Sequence, residues 1–170
     1  MGNYNQVIYR EIQRPTQIWI WALVLFLALF SWYSVFQQVV MGIPFGSKPA
    51  PNTVLLIFWI IFGIIFPVVL IGFLKLIVEV RVDGIYIRFI PFQFHYQRFL
   101  YKNIVHIEQI DYHFFKFGGW GIRMNLKGEK SYTMYGKQGI KLKLKNETVV
   151  IGTQKPVELI NAIHFAKEKH

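Results

Sequence analysis

The sequence predicts an α+β membrane protein. An N-terminal transmembrane α-helical hairpin leads into an antiparallel β-barrel or sandwich of about seven to eight strands, capped by one C-terminal helix. Three observations predict it. Two long runs near the start carry no charge. After Leu74 apolar residues alternate with polar ones. The last residues repeat apolar positions at helical spacing.

Composition sets the frame. Of the 170 residues 54% are apolar and only 16% are charged, well below the charged share of an ordinary soluble domain. The deficit is local, because no charge lies between Arg14 and Lys48 or between Lys48 and Lys75. From Lys75 onward the chain holds 16 Lys and Arg against 8 Asp and Glu, so that part carries 16 − 8 = +8 of the net +10. There is no cysteine, which excludes a disulfide framework, a thiolate zinc site and Cys-linked lipids.

The expected organisation is an N-terminal segment over 1–16, a first span over 17–40, an external loop over 41–53, a second span over 54–75 and a β domain over 76–170. Ile18 to Phe36 is uncharged, and at about 1.5 Å per residue it reaches about 28 Å, close to the hydrocarbon thickness. Trp19 and Trp21 near one end and Trp32 and Tyr33 near the other suit the headgroup level. No small-x-small cleavage site follows, which favours a retained helix over a signal peptide. Val54 to Leu74 is the second run; Pro67 and Gly63 inside it predict a kink with no further role. The breakers Gly42, Pro44, Gly46, Pro49 and Pro51 mark the loop between. Arg10 and Arg14 precede the hairpin and Lys75, Arg81 and Arg88 follow it, which places both termini in the cytoplasm of a two-span cell-membrane protein. Lys75 can snorkel to the interface.

The β domain opens with Val80 and Val82, the turn Asp83-Gly84, and then Ile85, Ile87 and Phe89 alternating with Tyr86 and Arg88. Further strands are expected over 95–101, 105–112, 122–126, 131–135, 140–145 and 148–151, with turns at Gly118–Gly121, Gly136–Gly139 and Asn146-Glu147. In the closing helix Thr153 is the expected N-cap, Pro156 fits the first turn, and Leu159, Ile160 and Ile163 form the apolar stripe.

Val82-Asp83-Gly84-Ile85, Gly119-Trp120-Gly121-Ile122-Arg123, Gly136-x-x-Gly139-Ile140-x-Leu142 and Ile151-Gly152-Thr153-Gln154-Lys155-Pro156 follow in order. On these residues, 77 to 165 resemble a bacterial PH-like domain fused to a two-helix hairpin, as in uncharacterised membrane proteins of bacteria and archaea. The resemblance implies a bent sheet closed by one helix, and it carries over no catalytic residue.

Lys141, Lys143 and Lys145 fall on one strand face with Lys137 just before them. Alternate strand residues are about 6.6 Å apart, so the row could meet anionic headgroups. Its plainer readings are a solvated face or a lysine-guarded sheet edge. Tyr96, Arg98, Tyr101 and Lys102 interleave rings with charge, but without a nucleic-acid motif, and no nucleic-acid partner is expected. His106, Glu108, Asp111 and His113 form two same-face pairs that a register change would have to unite before they could hold a metal. Trp120 and Arg123 flank a glycine turn, where core packing is the expected role of the ring. No phosphate loop, nucleophile elbow or HExxH is present, so no enzyme activity and no cofactor are expected. The reading is a membrane-anchored binding or scaffold module, its partners being membrane lipids, a protein or a second copy. An accessory subunit of a transport or enzyme complex is the alternative.

Overall fold

The computed structural model describes residues 6–112 and 119–169. They form two compact units: Thr16–Leu74, and a composite of the residues before Thr16 with Lys75 onward.

The first unit is the hairpin. Its helices run Ile18–Val40 and Asn52–Phe73, and both are long and apolar enough to cross a membrane. Ser31 and Ser34 sit buried in the first helix and donate to the carbonyls of Leu27 and Ser31 at 2.6 and 2.9 Å, which satisfies their hydroxyls without water. Gln38 organises the connection: its amide donates to Ala50 O and Asn52 Oδ1 at 2.7 and 2.8 Å, and its carbonyl accepts from Phe45 N. The second helix widens into π turns over Trp59–Ile65 and Val69–Phe73, on either side of Pro67. Pro67 has no N–H for the carbonyl of Gly63, four residues back. Trp32 of the first helix donates its indole N–H to that oxygen at 3.3 Å. Its ring meets Trp59 edge-on at 5.0 Å. A Cβ on Gly63 would lie 2.9 Å from Trp59 Cδ1, so the glycine makes room for the pair. The Gly63 carbonyl, one turn before Pro67, thus accepts from the neighbouring helix.

Among the described residues, the second unit holds nine strands, a short 3-10 helix at Tyr101–Asn103 and one α-helix. β1 (Val7–Gln13), β2 (Lys75–Arg81), β3 (Gly84–Ile90) and β4 (Gln97–Leu100) form an antiparallel sheet in that order. β5 (Ile104–Asp111), β6 (Gly121–Met124), β7 (Lys130–Thr133), β8 (Gln138–Leu144) and β9 (Thr148–Gly152) form the other, ordered β5-β8-β9-β7-β6. The C-terminal helix is Pro156–Glu168.

Of the barrel and the sandwich left open by the sequence, the strands make two sheets and, among the described residues, no closed barrel. Two expectations are corrected. The pairing is not wholly antiparallel, because β7 runs parallel to β9. The N-terminal segment is not a mere lead-in to the helix: Val7–Gln13 is a strand of the β unit, paired with β2 across the whole hairpin insertion.

Leu76, Val78, Val80, Ile85 and Ile87 of the first sheet are fully buried, as are Ile140, Leu142, Val149 and Ile151 of the second. Phe99 meets Tyr132 between the sheets at 6.3 Å. The C-terminal helix buries Leu159, Ile163 and Ala166 and packs on β1, β2 and β8, which closes the layers as expected. Its start differs from the forecast. Thr153 lies two residues before the cap position Lys155; its hydroxyl accepts from Lys155 N and donates to Glu11 Oε2 at 2.6 Å. Glu11 also accepts from Gln154 N at 2.9 Å, and Gln13 donates to Gly152 O at 2.7 Å. β1 is thus tied by buried polar groups to the strand-to-helix junction.

Candidate functional site

The lysine row is only partly as the alternation predicts. Register pairs Lys141 with Glu108 and Lys143 with His106, and paired residues share a face. Lys141 Nζ lies 3.6 Å from Glu108 and 3.4 Å from Glu129, so its charge is matched. Lys143 is exposed, and Lys145 lies past the strand end with its N–H on Asn103 O. Lys137 sits apart, in an open cleft of about 590 Å³ with Asp111, Tyr112, Gln138 and Gln154. The four lysines do not form one unopposed stripe. Nor does β8 guard an edge, since it lies between β5 and β9.

One lining residue of the cleft, Tyr112, packs on two glycines. Tyr112 is buried against Gly139 and Gly152 of neighbouring strands: a Cβ on Gly139 would stand 3.2 Å from its ring, and one on Gly152 would stand 2.8 Å from its hydroxyl. Burial pushes the Tyr112 phenol up to about 12. Of the metal-type residues, His106 Nε2 is 3.8 Å from Glu108, Asp111 pairs with Gln138, and His113 lies outside the described residues. No three such side chains converge among the described residues. Trp120 is half-buried, and its carbonyl accepts from Arg123 Nε at 3.3 Å.

Of the expected interface anchors, Trp19 and Tyr33 are exposed and Trp21 is half-buried; Tyr33 also meets Phe45 edge-on at 5.9 Å. Lys75 is half-buried at the start of β2. Trp32 is exposed and donates its N–H to Gly63 O of the second helix.

A further charge cluster was not legible in advance. It lies on the outer face of the first sheet, where register lines up Arg10, Glu79, Tyr86 and Arg98 across β1 to β4. Glu79 is 3% exposed. Its carboxylate accepts from Arg81 at 2.6 and 3.0 Å and from Tyr96 at 2.8 Å, with Arg10 Nε at 3.2 Å. Burial alone would push this carboxyl up; the hydrogen bonds from Arg81 and Tyr96 and the charges of Arg81 and Arg10 outweigh it and hold the group below the usual range. The Arg81 guanidinium lies 4.2 Å from the Tyr86 ring, and that of Arg88 lies 4.6 Å from the Tyr96 ring. Arg88 has no carboxylate partner among the described residues, and its buried Nε has no hydrogen-bond partner there. Two guanidiniums, of Arg81 and Arg10, thus contact the Glu79 carboxylate, while Arg88 lies over the Tyr96 ring and the Asp83 carboxylate accepts from Tyr86 at 2.8 Å. Tyr96 reaches the cluster from the β3–β4 turn, which also exposes Phe92 and Phe94 by 71% and 84%.

The arrangement is that of an α+β protein with two membrane-length helices inserted between the first and second strands of a basic two-sheet unit. The chain belongs to the family described as Family of unknown function (DUF6141), whose model matches residues 3–168. No curated protein and no solved structure matches it.

Proposed function

We propose that this chain is a membrane-anchored binding or scaffold module without catalytic activity, its PH-like unit working at the cytoplasmic face. The observation that carries the reading is the pairing of β1 with β2. The chain leaves the β unit after Gln13 and re-enters it at Lys75, beside its point of departure: Gln13 pairs with Leu76. A chain that crosses the bilayer twice between paired strands must return to the side it left. Both strands therefore share one compartment. The basic residues flanking the hairpin favour the cytoplasm. Four consecutive antiparallel strands and one closing helix support the PH-like comparison; the parallel β7–β9 pair departs from it. Glu79 and Glu11 are matched to basic or hydroxyl groups that hold the fold, which suits a binding surface better than a reaction centre.

The test exploits the absence of cysteine. Ile43→Cys in the connection and Leu126→Cys in the β6–β7 turn are both exposed. In intact cells a membrane-impermeant thiol reagent is expected to label position 43 at once and position 126 only after lysis. Labelling of 126 from outside overturns the orientation, and release of the chain by alkaline carbonate overturns the anchoring.

A further inference from the structure

We infer that the β3–β4 turn, residues 91–96, is a further membrane contact, in which Phe92 and Phe94 enter the interface of an anionic bilayer while Lys75 and Arg88 meet lipid phosphates. The inference rests on the reading that the two helices cross the membrane.

Exposure of these rings is built in rather than incidental. Gln93 N donates to Phe89 O at 2.7 Å, and Gln93 Oε1 accepts from Phe89 N at 3.2 Å, so the turn is stapled to the end of β3. The Phe92 ring is propped 5.8 Å from Phe89, and Tyr96 holds the far side of the turn by its bond to Glu79. A turn so fixed could have folded its rings inward; it presents two of them, separated only by Gln93, to the exterior. Two such rings offer on the order of 300 Å² of apolar surface, comparable to the largest patch on a typical monomer, which is often functional.

Register says which end of the sheet carries the turn. Ile90, its last strand residue, pairs with Lys75, and Lys75 is separated from the helix end Phe73 by Leu74 alone. Paired strands lie about 4.8 Å apart, and two to four residues past Ile90 span at most about 14 Å. The rings therefore sit within a short reach of Lys75, the residue at which the chain re-enters the β unit after the second helix.

Charge selects the occupant. Arg14, Lys75 and Arg88 belong to this end of the sheet, and no Asp or Glu occurs from Gly84 to Ile107. Basic groups beside exposed rings match a headgroup layer, where each lysine or arginine gains from anionic lipid and aromatic rings prefer to lie.

The test uses the full chain with single cysteines at Phe94, Ile61 and Leu126, each carrying an environment-sensitive fluorophore. The proteins are reconstituted in phosphatidylcholine alone or mixed equally with phosphatidylglycerol, with a nitroxide on the acyl chains as quencher. Position 61, in the second helix, reports the span; position 126, on a distant turn, reports solvent. Quenching at 94 is expected to be well above that at 126, and about two-fold stronger in the anionic mixture. Arg88→Gln with Lys75→Gln is expected to abolish that lipid difference. Strong quenching at 61 with 94 no better than 126 overturns this inference alone and leaves the rings for a protein partner. Equal quenching at 94 in both lipids overturns the phosphate contact. Loss of quenching at 61 overturns the spanning reading, and this inference with it.

Discussion

Glu79→Gln isolates the electrostatics of the first sheet, because it keeps the side chain's shape and removes its charge. The carboxylate takes two bonds from Arg81, whose side chain is 16% exposed, and a contact from Arg10, which is 50% exposed. A hydrogen bond to a charged group contributes roughly 1.5–3 kcal/mol and a neutral one about 1, so each Arg81 bond loses about 1 kcal/mol. Arg10, half in water, adds at most about 0.5. The sum is about 2–3 kcal/mol, below the roughly 3–5 of breaking a wholly buried pair. At roughly 4–8 °C per kcal/mol, the midpoint of the β unit should fall by about 8–24 °C. Thermolysin cleavage within residues 75–169 of the full chain, followed by mass spectrometry on heating, reads this out. The sign with pH follows from the held-down carboxyl. Its contribution is complete above the ordinary value of 4.5 and is lost as pH falls through the lower folded value. The gap between the two proteins should therefore close on acidification below about pH 4. A variant within about 2 °C of the parent at neutral pH would refute the argument.

Gly152→Ala should cost about 1–3 kcal/mol, and Tyr112→Phe should recover part of it, since the added methyl meets the Tyr112 hydroxyl first. Gly139→Ala meets the Ile151 carbonyl at 2.6 Å and should not be rescued by the same change; denaturant titrations of the double mutants decide both. Trp32→Phe leaves the Gly63 carbonyl without its inter-helix donor and should weaken the hairpin by about 0.6 kcal/mol in a detergent unfolding assay. Lys141→Glu places a third carboxylate beside Glu108 and Glu129 and should cost about 1–2 kcal/mol. Lys143→Glu, opposite His106, should shift the unfolding midpoint little.

Much of the fold was legible because it rests on local signals. Charge-free length marked both helices, Asp83-Gly84 marked the β2–β3 hairpin, and lysine alternation marked the outer face of β8. Gly84 was found for an incomplete reason: its Cβ would stand 2.5 Å from the Phe99 carbonyl, so close approach of β4 demands it. β1 was missed because its inward residues are polar. Glu11 and Gln13 are buried, while Ile12 is 51% exposed, so apolar periodicity reads the strand inside out. The Glu79 cluster was missed because Arg10 and Tyr96 reach it from distant sequence. The one local hint was a carboxylate in the apolar run Leu76 to Val80. Edge protection by β8 failed for a related reason, since strand order is set by pairings that no local pattern encodes.

The split between β1 and β2 also has a consequence for synthesis. Residues 7–13 are made before the hairpin, yet their pairing partner follows it. At roughly 5–20 residues per second, the interval from Gln13 to Ile90 lasts roughly 4–15 s. During that time the first strand, with an open hydrogen-bonding edge and the carboxylate of Glu11, has no sheet to join. A chaperone or the membrane surface must shelter it, and chains stalled within the second helix should expose it to proteases. On the proposed reading that the hairpin spans a membrane, completion of the sheet then acts as a proofreading step: a hairpin that fails to return to its starting side leaves β1 across the bilayer from β2, and the β unit cannot close.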